Sequence, residues 1–312
     1  MRYKSIGTIE KVSVVGLGTW AMGGDFWGDI DEKEAVEAIH AALDQGVTLI
    51  DTAPIYGKGY SEEVVGKGIA GKARDKIIIA TKCGLNWSTG QMRNDLTAAG
   101  ITYEVEESLK RLGTDYIDLY QCHWPDKIGT PIAETMGGLM ALKKQGKIRE
   151  IGVSNFSPAQ MDECRAAGEL ASLQPQYSLL HRDIEEDGIL DYCRKHNIAI
   201  LSYGSLGAGA LTGKFTEPPK SDRRAGFYSF FAPEVWPKVL KLLDVLKGVA
   251  AAHDRPVAQA SINWVVQQEG MTCGLVGARN AQQATMNAQA GDWELTAEEL
   301  ALIDAEYAKI FG

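Results

Sequence analysis

A basic run is missing from this sequence. Its 32 Lys and Arg are outweighed by 41 Asp and Glu, for a formal charge of -9. That balance argues against a general nucleic-acid or anionic-membrane binder and leaves room only for a local positive pocket. Also missing is any stretch of roughly 18 apolar residues, the length of a membrane span. The N-terminal Met1-Arg2-Tyr3-Lys4-Ser5 has no apolar run behind its basic residues. The chain is expected to be neither exported nor inserted. Cysteine is sparse: Cys83, Cys122, Cys164, Cys193 and Cys273 are odd in number, scattered and without C-x-x-C. Neither a disulfide framework nor a zinc site is indicated, no metal is expected, and a reducing, cytoplasmic compartment fits best. No low-complexity tract interrupts the 312 residues, which read as one domain spanning 1–312.

What is present is a repeated sentence of strand, loop, capped helix and terminal glycine. A small hairpin is expected over residues 3–12 around Gly7-Thr8, then a first apolar strand over 12–17. Asp31-Glu32-Lys33-Glu34 reads as a capping box ahead of Val36, Ile39 and Leu43 at helical spacing, closed by Gly46. Further strands are expected over 48–51, 77–81, 116–121, 150–153, 173–176, 199–203 and 272–276. Helices open at Thr102, Thr130-Pro131 and Ser157-Pro158. Apolar strands alternating with helices imply an all-parallel sheet covered on both faces. About eight such units in roughly 300 residues favour an α/β fold, a single (β/α)8 barrel with an N-terminal hairpin and a long loop between strands seven and eight. Gly16-Leu17-Gly18-Thr19-Trp20-Ala21 also matches the dinucleotide fingerprint of a Rossmann unit. That motif needs a helix to open at once, and a loop-like stretch from Met22 to Gly28 intervenes instead.

The chemistry of such a barrel lies at the C-terminal ends of its strands. Those ends carry Asp51, Lys82 and His123, with Tyr56 just beyond the second strand. Taken singly, each has a structural explanation: a turn cap, a solvated lysine, a core histidine, a loop aromatic. Together they form a proton-transfer set. A lysine ammonium lowers the pKa of a neighbouring phenol, a carboxylate keeps the lysine charged, and a neutral histidine hydrogen-bonds a carbonyl oxygen. That describes carbonyl reduction.

The chain resembles an aldo-keto reductase over essentially its whole length, and is nearest the bacterial branch of general stress proteins and sugar or aldehyde reductases. The stretches that carry the likeness are Gly16-Leu17-Gly18-Thr19-Trp20, Asp51-Thr52-Ala53 with Tyr56-Gly57, Ala80-Thr81-Lys82, His123-Trp124, Gly152-Val153-Ser154-Asn155-Phe156 and Leu211-Thr212-Gly213-Lys214. The resemblance implies an NAD(P)H-dependent oxidoreductase that reduces small aldehydes, ketones or sugars to the alcohol by hydride transfer. Asp51, Tyr56, Lys82 and His123 would be its catalytic tetrad and Tyr56 its proton donor. It further implies NADPH (NADP+) as cofactor, with Thr19, Trp20 and Asp51 against it and Ser154, Asn155 and Gln174 on the carboxamide. Tyr203 would stack on the nicotinamide ring. Gly204, Ser205, Leu206, Gly209 and Leu211 would wrap the pyrophosphate near Lys214, and Gly277, Arg279, Gln283 and Asn287 would form the adenosine end. Met286 departs from the family pattern, where relatives often carry Glu.

Trp20, Phe26, Trp27, Trp87 and Trp124 are candidates for an aromatic substrate pocket. The aromatic segment 215–236, with Arg223-Arg224, reads as a flap over the mouth. Three rivals are weighed. A Schiff-base barrel enzyme needs a lysine of lowered pKa, whereas Asp51 would raise it. A retaining glycosidase needs two carboxylates about 5 Å apart, and strands four and seven end in His123 and Tyr203. The last is an NADPH-binding redox-sensing subunit of slow turnover, as potassium-channel β-subunits of this superfamily are.

Overall fold

The computed structural model describes residues 1–24, 27–87, 92–219 and 223–312. It opens on a hairpin of β1 (Tyr3–Ile6) and β2 (Ile9–Ser13), paired antiparallel. Gly7 turns it at φ 53°, pressed so close to Glu150 that an added Cβ would lie 2.6 Å from the carboxylate. Only glycine combines that dihedral with that approach. Glu150 in turn accepts from Thr8 N at 2.7 Å and Thr8 Oγ1 at 2.6 Å, fixing the turn to the barrel wall.

The barrel strands are β3 (Val15–Gly18), β4 (Leu49–Asp51) and β5 (Ile78–Cys83). After a short antiparallel ribbon of β6 (Leu85–Asn86) and β7 (Arg93–Asn94) come β8 (Ile117–Cys122), β9 (Ile148–Ser154), β10 (Ser172–Gln174), β11 (Ala199–Ser202) and β12 (Met271–Gly277). All eight pair parallel in the closed order β10-β11-β12-β3-β4-β5-β8-β9. β5 and β8 are buried at every position, and strands without a wet face need cover on both sides. Helices supply it from outside: α1 (Glu32–Asp44), α2 (Tyr60–Ile69), α3 (Ala98–Leu112), α4 (Ile132–Lys144), α5 (Pro158–Ala167), α6 (Asp183–Glu186) and α7 (Ile189–Lys195). α8 (Arg223–Phe227), α9 (Trp236–Ala252) and α10 (Val257–Val266) occupy the long excursion between β11 and β12, and α11 (Ala281–Ala288) and α12 (Ala297–Phe311) end the chain. The closed sheet removes the Rossmann alternative: after Gly18 the backbone makes one tight turn over Trp20–Gly23, with no long helix opening there.

Three expectations shift. Residues 12 and 13 belong to the hairpin, so the first barrel strand starts at Val15. The third barrel strand is followed by a helix that starts at Ala98, capped by Thr97, whose side chain accepts from Gly100 N. Thr102 sits inside that helix and returns its hydroxyl to Ala98 O at 2.7 Å. The segment 215–236 is largely packing: Phe230, Phe231 and Trp236 are buried in one cluster with Ala210, Val239 and Leu243, while Phe227 alone of its aromatics is strongly exposed, at 66%. Its aromatics close on α9 because an apolar cluster of that size gains more by burial there than by facing the mouth.

The hairpin plugs the bottom of the barrel. Ile6, Ile9 and Val12 are buried in one cluster with Leu49, Ile78, Leu119, Leu201 and Leu275 from the strands above them. Removing part of that plug leaves a cavity that the stiff barrel cannot close. Ile6→Ala is therefore expected to cost about 2–5 kcal/mol in denaturant unfolding while leaving substrate KM unchanged. A loss under about 0.5 kcal/mol, the size of an ordinary surface change, would show the hairpin to be an appendage.

Candidate active site

Parallel pairing sets the ends of β4, β5 and β8 side by side: Asp51 faces Ala80 and Lys82 faces Gln121 in register. The Lys82 ammonium is buried and donates to Asp51 Oδ1 at 2.7 Å, to Thr52 O at 2.9 Å and to Tyr56 Oη at 3.4 Å. Burial pulls its pKa below the ordinary lysine value, and Asp51 restores part of the loss. The expectation that Asp51 would raise it is thus met in sign but outweighed.

The tyrosine departs further from expectation. Burial, and then the negative charge of Asp51, push the Tyr56 phenol well above its ordinary pKa, so the nearby ammonium does not bring it down in the ground state. The phenol is fully protonated at neutral pH. His123 meets Tyr56 edge-on, ring centroids 5.9 Å apart. Burial and the Lys82 charge hold its pKa well below 6.5, leaving a neutral ring.

Two glutamines complete the floor. Gln174 Nε2 donates to Asp51 Oδ2 at 2.8 Å and to Gln121 Oε1 at 3.2 Å, and Gln121 Nε2 reaches the same carboxylate oxygen at 3.3 Å. Sequence reading missed Gln121, although it stands two residues before His123, the spacing of one strand face. Gln174 thus has its amide nitrogen committed to Asp51 and Gln121. Ser154 Oγ donates to Gln174 O at 2.8 Å and accepts from Asn155 Nδ2 at 3.0 Å, and Asn155 Oδ1 accepts from Tyr203 Oη at 3.1 Å. Thr19 donates to Asp51 O at 3.0 Å from a buried position.

The aromatic candidates divide. Trp20 stacks on Tyr56 at 6.1 Å and meets Trp27 edge-on at 5.3 Å. Trp124 is exposed at 40% beside His123. Trp87 is turned to the helix layer, with the Arg111 guanidinium 5.8 Å over its ring. Phe26 lies outside the described residues.

Beyond β11, Gly204, Gly207, Ala208 and Gly209 all have positive φ. The main-chain N–H groups of Gly207 and Gly209 turn back on Gly204 O at 2.7 Å and Leu206 O at 3.0 Å, which makes the loop a run of tight turns. The side chains of Ser205 and Leu211 point into the fold, the first donating to Leu275 O at 3.2 Å and the second fully buried. Leu206 is partly buried against the core, and Lys214 is exposed. Arg224 donates to Ala208 O at 2.8 Å, and its guanidinium stands 5.2 Å over the Trp27 ring.

At the end of β12, just past Gly277, Arg279 N donates to Gln283 Oε1 at 3.0 Å. Its guanidinium donates to Trp27 O at 3.2 Å and to Asp29 O. A cavity of about 660 Å3 opens there, with Arg279, Asn280 and Gln283 on one side. Asn287 Nδ2 donates to Gly277 O at 3.0 Å, while its buried Oδ1 has no partner among the described residues. A buried acceptor is costly to leave unmatched. An adenine amino group would satisfy it. The cavity, the arginine and the orphaned acceptor together fit the adenosine end of a dinucleotide. Among the described residues no cluster suits a metal ion, and no helix is long and apolar enough to cross a membrane.

Comparison with known proteins agrees with this geometry. The chain is 45% identical over 305 residues to an aldo-keto reductase, YhdN, of Bacillus subtilis (strain 168), covering 96% of this chain and 91% of the relative. It is 34% identical to an NADH-specific methylglyoxal reductase of Escherichia coli (strain K12), covering 93% of each. Among solved structures, a glycerol dehydrogenase, AKR11B4, from Gluconobacter oxydans matches with a TM-score of 0.89 and 42% identity over 100% of this chain and 95% of that one. An aldo-keto reductase from Klebsiella pneumoniae in complex with NADPH matches with a TM-score of 0.78 and 30% identity, over 98% and 96% of the two chains. The model of the Aldo/keto reductase family matches residues 14–308, and the chain belongs to that family.

Proposed function

We propose that this chain reduces a small aldehyde or ketone to its alcohol, with Tyr56 giving the proton and NADPH the preferred cofactor. The observation that carries the reading is the Lys82 ammonium held between Asp51 Oδ1, Thr52 O and Tyr56 Oη. When bound, the dihydronicotinamide supplies the hydride. The protein must then protonate the oxygen that gains charge. Tyr56 holds a proton at every physiological pH, and the phenolate left after transfer would lie 3.4 Å from a cation that cannot turn away, since Asp51 and Thr52 fix it. His123, neutral, is suited to hydrogen-bond the same oxygen rather than repel it. The same geometry counts against a Schiff-base role: an ammonium with its three protons on three acceptors has no lone pair to attack a carbonyl.

Two relatives are named for three-carbon oxygenated compounds, methylglyoxal and glycerol. A short carbonyl compound of that class is the proposed substrate. A screen of small aldehydes, ketoses and dicarbonyls, read by NADPH oxidation, tests this. Turnover of none of them would favour a cofactor sensor.

Tyr56→Phe is expected to lower the rate about 10²- to 10⁴-fold, the usual effect of removing a general acid, with cofactor binding unchanged. Near-wild-type turnover in that variant would sink the assignment. The pH profile gives a second check. His123 titrates well below 6.5 and the phenol well above 10. As pH rises, the first charge lost is on Lys82, whose pKa is lowered. kcat/KM for reduction should therefore show no limb near pH 6.5 and should fall as pH rises through the lowered Lys82 value. A limb centred near 6.5 would place an essential histidinium in the mechanism and contradict the neutral ring.

Arg279 is the proposed partner of a 2′-phosphate, since a guanidinium beside a helix N-terminus grips such a group. A charge-assisted contact of about 1.5–3 kcal/mol corresponds to roughly ten- to a hundredfold in affinity. Arg279→Ala should remove most of the difference between NADPH and NADH in titrations of each. If the wild-type protein shows no such difference, the assignment of Arg279 fails.

A further inference from the structure

The cavity that Arg279 borders is also lined by Asp29, Asp31 and Glu34, with Met22, Ile30 and Ala35, and Arg279 touches this part of the lining through Asp29 O. Two helix N-termini thus face one space. That of α11 carries no acid in its first turn and has Arg279 beside it. That of α1 is already loaded with negative charge: Asp31 accepts from Lys33 N and Glu34 N, and Glu32 and Glu34 lie in the first turn. The nearby lysines are committed elsewhere, Lys33 to Glu37 at 3.9 Å and Lys67 to Glu32 at 2.8 Å. Among the described residues no cation pairs with Asp29, Asp31 or Glu34. The Arg279 guanidinium spends its donors on two carbonyl oxygens, those of Trp27 and Asp29, and not on a carboxylate.

We propose that Asp29 and Glu34 are specificity-determining residues that hold down this chain's preference for a 2′-phosphorylated cofactor, by setting carboxylates without an ion-pair partner in the lining of the cavity that Arg279 also borders. The inference rests on the reading that the adenosine end of the cofactor lies at Arg279. A 2′-phosphate there gains the guanidinium and the α11 N-terminus but shares the cavity with carboxylates that no cation among the described residues pairs with. A 2′-hydroxyl meets no such repulsion and can donate to a carboxylate. The same two side chains therefore penalise one cofactor and tolerate the other. Asp31 is left out of the argument because its oxygen is occupied as the α1 cap.

The test uses two probes that differ only by the group in question, adenosine 2′,5′-bisphosphate and 5′-AMP, titrated against the whole protein by calorimetry. Exposed charges act weakly, and each is expected to change affinity by about two- to fivefold. Asp29→Asn and Glu34→Gln should each raise the affinity ratio of bisphosphate to monophosphate by that factor. The double variant should raise it by more than either single variant. The tighter binding should appear in the bisphosphate, with 5′-AMP unchanged or slightly weaker. Arg279→Ala is measured in parallel. If it weakens the bisphosphate while the acidic variants leave the ratio within about twofold of wild type, the carboxylates are bystanders and the inference falls alone. If Arg279→Ala changes neither probe, the adenosine end lies elsewhere and the underlying reading falls. A ratio unmoved by the double variant overturns the inference whatever Arg279→Ala does.

Discussion

A lysine ammonium taken out of water is the constraint on which the rest of this structure depends. Burying such a charge costs several kcal/mol even after relaxation, unless acceptors surround it. Asp51, Thr52 O and Tyr56 Oη do so for Lys82, and Gln121 and Gln174 donate to the far oxygen of Asp51. These groups come from different strands and a loop. They converge only because parallel register fixes the ends of neighbouring strands against one another. The hairpin beneath and the helices outside keep that register rigid, and the site inherits its geometry from them.

The two ends of the proposed ligand path are electrostatically unlike. At the tetrad one buried cation is matched closely, by a carboxylate and a carbonyl. At the end of β12 an exposed arginine, held by two carbonyl oxygens, shares a cavity with carboxylates that form no ion pair among the described residues. The first arrangement holds the ammonium in one position. The second leaves a binding end whose preference is set by a balance of weak, screened charges.

Much of this was legible in the sequence. The closed barrel follows from apolar strands alternating with capped helices, and Asp51, Lys82 and His123 stand out because they end strands that are otherwise apolar. What was not legible depends on contacts between distant segments. Gln121 looks like an ordinary strand residue until β10 brings Gln174 beside it. The start of α3 was hidden because Gly100 reads as a helix breaker, yet it lies in the first turn where an added Cβ would sit 2.5 Å from the Asp95 carboxylate. The direction of the Tyr56 pKa is a property of burial, which spacing cannot report. The aromatics of 215–236 announce a need for cover without saying whether a cofactor or α9 provides it.

Trp27 is fastened in three ways: its ring lies under Arg224, its carbonyl is held by Arg279, and its edge meets Trp20. Arg224 reaches on to the carbonyl of Ala208, in the loop after β11. The loops after β11, β12 and β3, neighbours in the barrel, are in this way cross-linked through one indole. A side chain pinned at several points has little rotational freedom left to surrender when a ligand arrives, so the entropy of ordering it is met during folding instead of during association.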